Sequence, residues 1–271
     1  MFKFLDDLDK DLKKSLLIQL RNLWTHTSTA IEGNTLTLGE TAFVLQEGLT
    51  ISGKPLKDHQ EVVGHARAID LLYDYLQEER EFSEADLFAL HKAVQTEVIF
   101  DVYKPVGGWK KEPNSSVSVV NGKQIIFEYG WPDDIPQLME GWFALYREID
   151  QTIEPGNTQQ ALTAYVQLHV AFVRIHPFFD GNGRMARLIA NLPVLKSGLP
   201  PIIIPREERK QYIDTLSAYH FDVGQIRVGN EILPKPEKLK PFAAFCMQAW
   251  QGSISLVEET RKKQRNREPK K

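Results

Sequence analysis

The chain has 271 residues, 42% of them apolar and 25% charged, the make-up of a globular protein with core enough to need no disulfide or metal staple. Its one cysteine, Cys246, rules out an intrachain disulfide and suits a reducing compartment, so a cytoplasmic protein is expected. No run approaches the ~18 apolar residues of a membrane span, the start turns acidic at Asp6-Asp7 where a secretory leader is apolar, and the net charge of −3 becomes −9 once the +6 of residues 261–271 is set aside, a poor surface for nucleic acid.

The pattern is mostly helical. From Asp9 to Trp24, Leu12, Leu16, Leu17, Leu20 and Leu23 share one face. Ser28 then reads as the start of a short helical turn that ends at Glu32 and is terminated by Gly33. Thr37 to Glu40 is a capping box opening the next helix. Val62, Val63, Ala66, Ile69 and Leu72 stripe a third helix over 57–76, and Ser83 caps a fourth that is expected to end near Val98. Ser115 to Phe127 breaks the pattern: two apolar strands flank Asn121-Gly122, the preferred type I′ hairpin turn. Pro132 opens a helix reaching Ile149, Pro155-Gly156-Asn157 separates it from an apolar helix over Leu162 to Ile175, and another runs from Asn182 to Leu195 with an end or kink expected at Pro193. Glu207 to Tyr219 follows, then a strand pair or loop over 221–233, then a last helix from Pro241 to about Arg261. The basic residues 261–271 read as a frayed, solvated end. The organisation expected is an N-terminal helical region over 1–97, a core over 98–220 and a C-terminal extension over 221–271.

The stretch with chemistry in it is His176 to Arg187, His-Pro-Phe-Phe-Asp-Gly-Asn-Gly-Arg-Met-Ala-Arg. Pro177 disfavours helix at His176, so the chain turns there. Phe178 or Phe179 can plug the core, while Gly181 and Gly183 let the backbone curl with its amides inward. A helix starting at Asn182 or Gly183 makes that curl an anion site. Arg184 and Arg187, three apart, point the same way and suit a polyphosphate. Asp180 is the loop's one carboxylate, enough to hold Mg²⁺ together with phosphate oxygens, and His176 can take a proton from a hydroxyl. A dinucleotide fingerprint fails because a helix, not a strand, precedes the glycines. His169 and His176 lie two turns apart, roughly 10 Å, too far to chelate one ion, and His169 reads as a structural histidine.

His176 to Arg187 resembles, without departure, the signature of the Fic family, His-Pro-Phe-x-Asp/Glu-Gly-Asn-Gly-Arg-x-x-Arg. The resemblance implies an all-α fold, a compact helical bundle with one β-hairpin flap, and transfer of AMP from ATP to a Ser, Thr or Tyr hydroxyl of a target protein or of the chain itself. It makes His176 the catalytic base and Asp180 the Mg²⁺ ligand. Gly181, Asn182, Gly183 and Arg184 hold the α- and β-phosphates, and Arg187, beyond Met185 and Ala186, grips the γ-phosphate. Val117, Ser118, Val119 and Val120 of the flap clamp an extended target segment, and Tyr212 sits near the adenine. His220 stands near where related sequences have an asparagine. Upstream, Ser28-Thr29-Ala30-Ile31-Glu32-Gly33-Asn34 resembles the family's inhibitory motif, Ser/Thr-x-x-x-Glu-Gly/Asn-Asn, which implies that Glu32 pairs with Arg187 and misaligns ATP.

Other readings keep the fold and change the chemistry. They are removal of AMP from a modified protein, transfer from another donor (UMP, phosphocholine or a simple phosphate), or a regulatory module with little catalysis. The intact Gly181-Asn182-Gly183 favours AMP. A symmetric dimer is the default assembly, and neither membrane nor nucleic acid is an expected partner.

Overall fold

The computed structural model describes residues 2–78, 80–96, 101–120 and 123–267. Among these, ten α-helices surround one long apolar cluster that runs from Phe4 to Val257. The first four helices are α1 (Lys10–Ile31), α2 (Leu38–Glu47), α3 (Leu56–Tyr75) and α4 (Glu84–Val94). Both predicted capping boxes form, Thr37 with Glu40 at α2 and Ser83 with Asp86 at α4. The flap is a two-stranded antiparallel sheet, β1 (Ser115–Val120) against β2 (Lys123–Glu128), with Ser116 opposite Phe127 and Val117 opposite Ile126. The predicted Asn121-Gly122 turn lies outside the described residues. After a short 3₁₀ turn at Pro132–Asp134 come α5 (Ile135–Thr152), α6 (Thr158–Ile175), α7 (Asn182–Ile189), α8 (Leu192–Lys196), α9 (Arg209–Val223) and α10 (Lys240–Arg267).

Helix α6 is the axis of the molecule. Asn157 caps its start by accepting from the Gln160 N–H, and twelve residues later the helix is buried all round, from Val170 through Phe172 to Ile175. A helix apolar on every side belongs in a core, and α5, α7, α8 and α10 pack around it. The end of α6 is thereby a fixed point, and it is there that the His176 loop begins.

Several elements differ from the sequence expectation. Helix α1 does not stop at Trp24; it continues to Ile31, so Ser28 lies inside its last turns rather than starting a new one, with Glu32 as its C-cap and Gly33 at φ +106°. Its last seven residues, Thr25 to Ile31, are all buried, and polar threonines and a serine there hide the apolar periodicity from a sequence reading. On α3, Val62 is buried but Val63 is 50% exposed, one residue off the stripe. Helix α4 ends at Val94, not near Val98; Gln95 is already extended, and Val98 is outside the described residues. The helix over 182–195, expected to end or kink at Pro193, breaks a few residues earlier, after Ile189. Asn191 turns its side chain to the backbone of Arg187 and of Ile202, and α8 starts afresh at Leu192. Residues 224–235 form a loop with no strand. The basic tail is helical through Arg267, which pairs with Asp9 and Asp11, while Gln264 accepts from the Asp9 N–H; Val257 and Thr260 are buried. No helix among the described residues is long and apolar enough to cross a membrane.

Candidate active site

His176 caps α6 in the left-handed conformation, φ +54°, and the proline that follows disfavours a continued helix there. Its ring is fixed on two sides. Nδ1 donates to the Val173 carbonyl at 3.1 Å, which leaves the Nε2 lone pair free to accept a proton, and the ring stacks on Tyr129 at 3.7 Å and 9°. Burial, then the nearby Lys110 charge, pushes the His176 pKa down to about 3, so the imidazole is neutral at physiological pH.

The loop is pinned behind the histidine. Phe178 is fully buried among Phe88, Trp109 and Phe172. Asn182 locks the curl shut: its Oδ1 accepts from the Phe178 N–H at 3.0 Å and its Nδ2 donates to the Phe178 carbonyl at 2.8 Å. The Asn182 side chain is therefore committed to the loop, and its backbone remains for a ligand. Asn182→Ala is expected to orphan the Phe178 N–H at a cost of about 1–3 kcal/mol, read as a lowered Tm in thermal denaturation; an unchanged Tm would refute the lock.

Gly181, φ +79°, starts α7. The two arginines line the same cleft but do not share partners. Arg184 reaches α4, donating to the Val94 carbonyl and to Gln95 Oε1 at 3.1 Å, with Asp180 at 3.3 Å. Arg187 reaches the end of α1: Nε donates to Ser28 Oγ at 3.1 Å, and Nη2 to the Ser28 carbonyl at 2.8 Å and to Glu32 Oε1 at 2.6 Å. Arg187 is 3% exposed and Glu32 40% exposed, so the pair sits at the floor of the cleft with its carboxylate facing solvent. Burial opposes the Arg187 charge, and Glu32 and Tyr212 more than offset it, holding the guanidinium protonated. A Cβ on Gly183 would stand 2.6 Å from Glu32 Oε1. The carboxylate thus lies directly on the first turn of α7, where an anion is favoured.

Tyr212 lines the cleft, but its hydroxyl is turned inward. It accepts from Arg187 Nη1 at 3.3 Å and bonds His169 Nε2 at 3.0 Å. Burial raises Tyr212 to about 12 and drives His169 well below its usual range, so both stay neutral. His169 is the structural histidine expected, bonded at Nε2 alone among the described residues. His220 is buried and stacks on Phe127 of the flap at 4.7 Å.

These residues enclose a cleft of about 410 Å³ between the flap, the His176 loop, α9 and the end of α1. Ser116 and Val117 line it from β1, and no third strand joins β1 among the described residues. The strand continues through Ser118, Val119 and Val120. Sequence reasoning missed Gln95, Tyr129, Lys110 and Glu61. Glu61 takes the Asn34 side-chain amide at 2.9 Å and faces Arg184 at 3.9 Å. Lys110 is buried, its pKa lowered to about 7, with its backbone N–H on the Pro177 carbonyl. A lysine among Gly, Trp and Lys carries no signal of burial; only a helix or strand period would have, and the segment has neither.

A helical bundle with one hairpin over a His-Pro-Phe loop at a helix start is the arrangement of a Fic domain, and comparison with known proteins agrees. Residues 81–194 match the model of the Fic/DOC family. Protein adenylyltransferase Fic of Drosophila erecta is 31% identical over 233 residues, 84% of this chain and 40% of that protein. The chain thus spans about 40% of the length of the curated relatives it matches. Among solved structures, a Fic-domain-containing signaling protein from Bacteroides thetaiotaomicron superposes with a TM-score of 0.79 at 26% identity, covering 94% of this chain and 93% of that one. A fragment of Fic-1 from C. elegans superposes with a TM-score of 0.73 at 27% identity, covering 96% of this chain and 69% of that one. The chain carries a domain of the Fic/DOC family over residues 81–194.

Proposed function

We propose that the protein transfers AMP from ATP to a hydroxyl side chain of a protein, and that Glu32 restrains it. The observation that carries the reading is the convergence on one cleft of a neutral His176 with a free Nε2, the start of α7, Arg184, Arg187 and the exposed Asp180. The target hydroxyl gives its proton to His176 Nε2 while its oxygen attacks the α-phosphorus. The bond to the β-phosphate oxygen breaks and pyrophosphate leaves. The backbone of residues 181–184 and the two guanidiniums hold the phosphates in line, so the chemistry is positioning and charge stabilisation. Negative charge gathering on the seated nucleotide also raises the basicity of His176 when a proton must be taken.

The donor set suits Mg²⁺ arriving with the nucleotide. Asp180 is a single carboxylate, 57% exposed at the cleft, and the described residues form no cluster of three metal-binding side chains. A cation held by one carboxylate plus phosphate oxygens is a common arrangement for Mg²⁺; bound there, it would supply charge neutralisation at the phosphates. The target segment would lie as an added strand along β1, from Val117 to Val120.

With Arg187 held by Glu32, the γ-phosphate loses its grip and the nucleotide sits out of line; this is the restraint. The test is intact-mass spectrometry after incubation with ATP and Mg²⁺. In a Glu32→Gly background, AMP should be added to the protein, and His176→Ala should abolish the addition, more than about 10²-fold for loss of a general base. Labelling that survives His176→Ala would overturn the reading.

A further inference from the structure

We infer that His91, on α4 and outside the loop motif, is a positioning residue that aims the Gly181 amide at the bound phosphates. This rests on the AMP-transfer reading. His91 is 1% exposed, and its ring lies flat on Phe178 at 3.7 Å and 3°. The Gly107 N–H donates to its Nδ1 at 2.8 Å. A nitrogen that accepts carries no proton, so in the neutral ring the proton is on Nε2. Nε2 therefore donates to the Asp180 carbonyl at 3.0 Å. The tautomer is fixed by one backbone group and spent on another.

The consequence follows from the planar trans peptide. The C=O of Asp180 and the N–H of Gly181 belong to one peptide unit and point in opposite directions. Anchoring that carbonyl on α4 turns the Gly181 N–H away from α4 and toward the cleft that Gly181 lines. None of the described residues accepts from that N–H. The edge of the His91 ring also lies close to Gly181, where a Cβ would stand 3.6 Å from Nε2.

The test uses the Glu32→Gly protein as parent and calorimetric binding of two probes, Mg-ATP and adenosine. His91→Phe keeps the flat ring on Phe178 and loses both hydrogen bonds. It is expected to weaken ATP roughly 10-fold or more, the loss of one hydrogen bond to a charged group, and to change adenosine less than about twofold. His91→Gln, whose amide N–H can reach the position of Nε2, should restore ATP to within about threefold of the parent, whereas His91→Asn, one bond shorter, should not. Equal weakening of ATP and adenosine, or equal behaviour of the Gln and Asn variants, would overturn the inference, and the Gln–Asn pair decides it even if the Phe variant fails to fold. A parent that does not bind ATP at all would instead overturn the transfer reading, a result seen before any His91 variant is made.

Discussion

Glu32→Gly is expected to raise incorporation of AMP into the protein by about 10²-fold, the cost of a misplacement near 1 Å at a reacting centre. The reason is the occupancy of one guanidinium. Nη2 of Arg187 already serves the Ser28 carbonyl and Glu32 Oε1, and Nε serves Ser28 Oγ. Only the Glu32 contact brings a full negative charge, and only that contact lies on the solvent side of the cleft, where a γ-phosphate would enter. Removing it frees the outer face of Arg187 while Ser28 and Tyr212 keep the side chain in place. The Glu32 carboxylate also leaves the first turn of α7, against Gly183, and opens that turn to phosphate. Stability should move the other way. A buried cation stripped of its anion is destabilising by roughly 3–5 kcal/mol where no water reaches it, and less here because the cleft is open. The Tm of Glu32→Gly should fall, and Mg-ATP should restore more of it than in the wild type, since the nucleotide replaces the lost charge. Glu32→Gln, which keeps a hydrogen bond without the charge, should fall between the two in labelling. If labelling of Glu32→Gly stays at the wild-type level, the restraint has no basis.

The loop from His176 to Arg187 was legible because its chemical groups are contiguous. Pro177 after a long apolar helix forces the turn, the two glycines allow the curl, and the charged residues stand at helical spacing, all within twelve residues. The partners of those side chains were not legible. Arg184 and Arg187 share a helix face, yet one is drawn to α4 by Gln95 and Val94 and the other to α1 by Ser28 and Glu32. Nothing local to a sequence says which carboxylate lies 155 residues away in the chain but 2.6 Å away in space; that pairing came from resemblance alone. The end of α1 and the basic tail misled because neither shows an apolar stripe in its sequence. Buried threonines in α1 mask its apolar periodicity, and the basic run of α10 has no apolar residue to show one; in each case a distant partner meets the segment, the Arg187 side chain at Ser28, and Asp9 and Asp11 at Arg267. Asn182 shows what the sequence left open: its side chain is used in holding the loop, which leaves its backbone for a ligand.

Acid should destabilise this protein steeply below pH 6.5. Three histidines are buried with no acid beside them. His65 is fully buried, neither ring nitrogen has a partner among the described residues, and burial, aided by the charges of Arg187 and Arg184, pushes it down to about 3. His220 is pushed down to about 3 by burial and then by Arg174. His169 is driven well below its usual range by burial and then by Arg187. In the unfolded chain each titrates near 6.5. Between the two values the unfolded state holds more protons than the native one, so stability rises with pH across that window and is lost as pH falls through it. Each group contributes about 1.4 kcal/mol per pH unit there, so these three alone remove roughly 6 kcal/mol between pH 6.5 and 5, and His176 and His91, also pushed down by burial, add to it. That is comparable to the whole stability of an ordinary domain, about 5–15 kcal/mol, and at about 2–4 °C per kcal/mol for a chain of this size it lowers Tm by more than about 10 °C. Thermal denaturation at pH 7.5, 6.5, 5.5 and 5.0 measures it, and a Tm flat to within a few degrees would refute the buried neutral histidines. The sharper comparison is His220→Asn, which puts a neutral side chain of similar shape against Phe127. It should flatten the slope by about a fifth without abolishing it, because His65, His169, His176 and His91, all shifted down by burial, still have to be charged before the chain can take up its acid form.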